Sequence, residues 1–155
     1  MAKPRTFTNF PKSKIPIDEP SEPETNEKFQ AWRAQYHGSY PEYLVFTELE
    51  KMGFEYGVDF QYQSSELGGR QRLGGAVVDF ELPLYHIAGR VQGEYWHLRT
   101  AETREHDITQ ELLLMGRGWT VVDMMATEIV VRARVIVRMF LEGRETPFAL
   151  AASRK

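Results

Sequence analysis

Between residues 57 and 93 the chain sets out three apolar runs of strand length, each bounded by glycine: GVDFQYQ (57 to 63), GAVVDFELP (75 to 83) and YHIAGRVQG (85 to 93). Runs this short, rich in Val, Phe and Ile, read as strands and not helices. Only a turn around Pro83 and Leu84 separates the last two, which predicts a hairpin. The period then changes. Thr100 is placed to cap a helix running to about Met115, with Glu105, Ile108, Leu112 and Met115 along one side. WTVVDM (119 to 124) follows as a buried strand, and Thr127 opens a last helix to about Glu142, ended by Gly143. Its apolar stripe is Val130, Ala133, Val137 and Phe140. Arg134 and Arg138 stand one turn apart on a separate face, either a solvated charged surface or a binding one.

Two more helices precede the strands. In TNEKFQAWRAQY (25 to 36), Phe29, Trp32 and Tyr36 recur at helical spacing, and Gly38 closes the segment. The second helix runs from about Pro41 to Met52, with proline near its start and Gly53 after its end. Its stripe is Val45, Phe46, Leu49 and Met52, and Glu42 heads that stripe, so a carboxylate faces inward. The order α, α, β, β, β, α, β, α predicts an α/β fold: a small mixed sheet with helices on both sides, its last strand supplied by a crossover unit. Residues 1 to 23 hold five of the eight prolines and show neither period, which predicts an extended or disordered tail suited to a protein partner. The expected organisation is this tail, an amphipathic helix over 24 to 38, one domain over 39 to 145, and a C-terminal tail over 146 to 155.

Composition narrows the chemistry. The 155 residues include no cysteine, which removes disulfides, thiolate metal sites and cysteine nucleophiles together. Any metal must sit on oxygen or imidazole. The formal net charge of −3 is the wrong sign for a domain that grips nucleic acid through a broad basic surface, although segregated charge still permits DNA contact. No stretch is apolar enough to span a bilayer, and the N-terminal residues lack a signal-peptide core, so a cytoplasmic protein without membrane contact is expected.

Asp79 is the first candidate for chemistry. It sits inside AVVDFEL, where an unpaired charge is costly, so it needs a metal, an arginine or backbone donors. Alternation puts His86, Ala88, Arg90 and Gln92 on one face of the next strand and Ile87, Gly89 and Val91 on the other. Across a hairpin ladder, Arg90 or Gln92 is then expected to face Asp79. In SSELGGRQRLGG (64 to 75), Arg70 and Arg72 make a basic loop that either follows a phosphate backbone or forms a solvated hairpin tip.

Taken in order, PEYLVFTELEKMG, VVDFELP, VQGEYWH and DITQELLLMGRGWTVVDM resemble the motifs of the PD-(D/E)XK nuclease superfamily, and within it the very-short-patch-repair (Vsr-like) endonuclease branch. The resemblance covers about residues 41 to 142 and implies a restriction-endonuclease-like αβββαβ core. Carried over by position, Asp79 would bind the metal, Glu42 would help at its water shell, and His97 would move a proton near the scissile phosphate. Hard oxygen ligands suit Mg²⁺, which polarises phosphate and activates water, and imidazole titrates near neutral pH. Tyr95 and Trp96 would stack on bases or wedge into a duplex, or else fill the core.

The third strand departs from that pattern. Where the superfamily has an acid, one residue and a lysine, this chain has Arg90, Val91 and Gln92; where the Vsr-like branch has histidine, it has Gln92, which cannot shuttle protons. A guanidinium ~4 Å from a dication at an effective dielectric of ~20 costs roughly 8 kcal/mol, so an Arg90 to Asp79 pair would leave the site without an ion. Two functions follow. One is a non-cleaving nuclease-fold domain, a DNA-associated binding or assembly module in a phage-type or mobile-element setting, virion-associated if of phage origin, with no cofactor. The other is a working Mg²⁺-dependent endonuclease or nickase using Asp79, Glu42 and His97, for which Arg90 must point away from Asp79, toward DNA, as a binding residue.

Overall fold

The computed structural model describes residues 26–62, 72–73, 76–93 and 100–145. The 1 to 23 and 146 to 155 tails, Arg70, Tyr95, Trp96 and His97 lie outside the described residues. The chain runs α1 (Asn26–Tyr36), α2 (Tyr40–Lys51), β1 (Gln61–Tyr62), β2 (Arg72–Leu73), β3 (Ala76–Val77), β4 (Phe80–Leu82), a 3-10 turn (Pro83–Tyr85), β5 (Ile87–Gln92), α3 (Ala101–Gly116), β6 (Thr120–Met125) and α4 (Ala126–Leu141). This is an α/β fold whose main sheet has the order β1-β4-β5-β6. The pairs β1–β4 and β4–β5 are antiparallel, whereas β5–β6 is parallel, bridged by α3 as the crossover.

The second apolar run divides where one unbroken strand is expected. Its first part, β3, pairs with β2 in a separate ribbon that includes Arg72, and its last part joins the main sheet as β4. The break lies at Asp79. Its N–H donates to the Gly89 carbonyl at 2.9 Å, although Phe80 is the residue in register with Gly89, so two residues oppose one as in a bulge. Alternation slips in consequence: Val78 packs with Ala88, Leu114 and Val121 on the α3 side, and Phe80 joins the larger core on the other.

That larger core lies between the sheet and α2 with α4, and contains Phe46, Leu49, Phe60, Phe80, Met124, Ile136 and Phe140. Trp32 of α1 belongs to it too, its ring 5.5 Å from those of Phe46 and Tyr62. Gly89 is a packing requirement: a Cβ there would come within 2.8 Å of Phe140 and 2.9 Å of Met124. Gly53 takes φ +92° beyond α2, a conformation that favours glycine.

Two helices orient differently from their sequence patterns. In α4, Ile129 and Ile136 join Val137 and Phe140 inside, while Val130 of the expected stripe is 52% exposed. The departure in α3 is larger. Thr100 caps it as expected, accepting from Thr103 N–H, but Leu114 is its one buried residue among those described. The expected stripe faces outward, with Ile108 49%, Leu112 60% and Met115 54% exposed. Asp107 and Glu111 turn instead toward a charge in the sheet.

Candidate functional site

That charge is Arg90, in the middle of β5 and only 8% exposed. The expected partner was Asp79 on the antiparallel neighbour; the structure gives it Asp123 on the parallel one. Arg90 and Asp123 are in register, so their side chains leave the sheet on the same face. The guanidinium makes a two-point fork, Nε to Oδ1 at 2.7 Å and an Nη to Oδ2 at 2.9 Å, and the same Nη reaches Glu111 Oε2 at 3.3 Å. Gln92, two residues on and on the same face, donates to Asp123 Oδ1 at 3.0 Å. Burial alone would lower the Arg90 pKa, but the charges of Asp123, Glu111 and Asp107 and the hydrogen bonds to Asp123 outweigh it and raise it.

Among the described residues, acids outnumber bases around this knot. Glu145, just past α4, has its carboxyl pushed from 4.5 up to about 7, first by burial and then by the charges of Asp123 and Glu111, against the pull of Arg90. Arg90 is a cation that several carboxylates share. Taking one partner away from such a buried pair leaves an uncompensated charge.

The expected site residues are engaged otherwise. Asp79 Oδ2 accepts the Val91 N–H at 2.8 Å, so its carboxylate continues the ladder across the bulge. Glu42 is buried at 6% exposure, as its place on the apolar stripe predicts. Its Oε2, however, turns back to Ser39, accepting the backbone N–H and the hydroxyl at 2.6 Å each. Ser39 Oγ in turn accepts Glu42 N–H, completing a capping box at the start of α2. Arg134 reaches back to Glu48 of α2 at 3.3 Å, tying the two helices together, and Arg138 is exposed. Glu81 of β4 is 7% exposed, and burial raises its carboxyl pKa.

A magnesium ion needs several oxygens free to converge on it. Among the described residues, no group of three or more His, Asp or Glu side chains is arranged to hold a metal. Asp79 and Glu42, the described members of the expected ligand set, each turn one carboxylate oxygen to a protein donor.

Asp123, the partner of Arg90, is absent from the expected site, although the sequence carries a signal for it. It interrupts an apolar strand in WTVVDM as Asp79 interrupts AVVDFEL, and the same cost of an unpaired buried charge applies to both. Glu111 and Glu145 carry no such signal, because an acid on a helix or after one is ordinarily solvated. Among the described residues, no helix is long and apolar enough to cross a membrane. Comparison with known protein families, with curated proteins and with solved structures finds no match.

Proposed function

We propose that this chain is a nuclease-fold domain of the PD-(D/E)XK, Vsr-like kind that does not cleave, and that it acts as a DNA-associated binding or assembly module. The observation that carries the reading is the engagement of each described member of the expected site. Asp79 holds Val91 N–H, Glu42 holds Ser39, and Gln92 with Arg90 holds Asp123. The third strand thus carries an ion-pair network in the place where the superfamily carries its acid and lysine. Assembly is favoured by α4, which leaves Val130, Val131 and Val135 between 47% and 83% exposed. DNA contact rests on the resemblance and on Arg70, Arg72, Arg138, Tyr95 and Trp96 as its candidates.

One observation favours the second reading, an endonuclease using Asp79, Glu42 and His97 with Mg²⁺. Because Arg90 is neutralised by Asp123, its charge no longer stands against a cation at Asp79, and the repulsion argued from the sequence loses its force. The deciding experiment incubates purified protein with supercoiled plasmid in Mg²⁺ or Mn²⁺ and, in parallel, titrates it with labelled duplex. The expected result is binding that weakens steeply with salt, and no nicked circles. Nicking that disappears in both Asp79→Ala and His97→Ala would reverse the assignment in favour of the enzyme.

A further inference from the structure

The helix α3 is turned inside out relative to ordinary amphipathic packing: its polar residues Asp107 and Glu111 serve Arg90, and its apolar side faces away from the sheet. Ile108, Leu112, Leu113 and Met115 are between 49% and 60% exposed, close enough on one helix to form an apolar patch on the order of a few hundred Å². Acids border it. Glu105 continues the stripe toward the helix start, with Glu102 and Glu111 beside it. Residues 101 to 116 hold four acids (Glu102, Glu105, Asp107, Glu111) against one base (Arg104); Asp107 and Glu111 serve Arg90, which leaves Glu102 and Glu105 as the exposed acids of the border.

The same chain contains a segment of complementary chemistry. Residues 1 to 17 carry Lys3, Arg5, Lys12 and Lys14 with no acid, a charge of +4, interleaved with Phe7, Phe10, Ile15 and Ile17. The acids of this region begin only at Asp18. We propose that residues 1 to 17 dock on the outward face of α3 of their own chain. Phe7, Phe10 and the two isoleucines cover Ile108, Leu112 and Met115, and the lysines meet the acidic border. Residues 18 to 25 supply a tether of up to roughly 26 to 29 Å between this segment and α1. Tethering also favours the chain's own arm over that of a second copy, since a short linker supplies an effective concentration of the order of millimolar. This inference does not rest on the nuclease-fold reading.

The absence of cysteine allows one nitroxide to be attached cleanly at Asn9→Cys. Its paramagnetic broadening of backbone amide signals then reports where the arm lies. The amides of Ile108, Leu112, Leu113 and Met115 are expected to fall below half their intensity. They should recover in Lys12→Glu/Lys14→Glu, which leaves the folded domain unaltered, and in Leu112→Glu, whose side chain is exposed and whose melting curve checks the fold. A sample mixing labelled unenriched chains with unlabelled ¹⁵N chains is expected to show no broadening. Broadening in that mixture would mean that a second copy supplies the arm. No broadening on α3, or broadening indifferent to the two lysines, would overturn the docking itself.

Discussion

Replacing Arg90 with methionine should be among the most damaging single changes available to this protein. The arginine is 8% exposed and Asp123 4%, so neither charge has much recourse to water. Methionine has comparable length but no charge. It would leave Asp123 with Gln92 as its described side-chain donor, beside Glu111 and Glu145. Removing one member of a buried pair costs about 3–5 kcal/mol. At about 2–4 °C per kcal/mol for a chain of this size, the melting temperature should fall by roughly 6–20 °C. Urea unfolding followed by tryptophan fluorescence would measure this directly.

The loss also has a pH signature. The carboxylates left behind are relieved by protonation, so the penalty should be smaller at pH 5 than at pH 8. Arg90→Lys should recover only part of it, since an ammonium keeps the charge but cannot form the fork at 2.7 and 2.9 Å. The double variant Arg90→Met/Asp123→Leu should lie closer to wild type than the sum of its singles. A cost under about 1 kcal/mol at pH 7.5, or full rescue by lysine, would refute the view that the fork organises this region.

Asp79→Ala should destabilise by about 1–3 kcal/mol by leaving the Val91 N–H without its acceptor, while Asp79→Asn, which retains an oxygen, should stay near wild type in the same urea assay. Glu42→Ala should cost about 0.5–2 kcal/mol through the lost capping box and Glu42→Gln much less, read from thermal melts by circular dichroism. Glu145 has a folded pKa of about 7 against the ordinary 4.5, so it binds its proton more tightly when folded. Its contribution to stability therefore declines as pH climbs from about 4.5 through about 7 and is level above. Glu145→Gln, which cannot ionise, should raise the urea midpoint over wild type at pH 8 and lose that advantage at pH 5.

Much of the scaffold was legible because it depends on neighbours in the chain. Proline at the start of α2 and Gly53 after it, Thr100 before α3, and the Pro83 turn between β4 and β5 act over three or four residues, and their elements stand close to where those signals put them. Burial of Glu42 was legible from its phase on the helix, but that phase does not carry its role. The phase says which way a side chain points, whereas the capping box depends on Ser39 three residues earlier, in a reciprocal bond recognisable as S-x-x-E. The split of the second apolar run was not legible, because a bulge is defined by what lies across the ladder.

The sequence by itself determined that this is an α/β chain without thiol chemistry, that its charged strand residues Asp79 and Arg90 each require a partner, and that Arg90 and Gln92 share one face of their strand. Only the tertiary structure decided which partner each received. A β-strand has two neighbours, and alternation fixes the face of a side chain without fixing the side of the strand to which it leans. The parallel register that sets Arg90 against Asp123 arises from a crossover of more than twenty residues between β5 and β6, and no local pattern encodes it. The same choice explains α3: once a buried guanidinium lies beneath it, Coulomb attraction draws Asp107 and Glu111 inward, and the apolar stripe is left to face out.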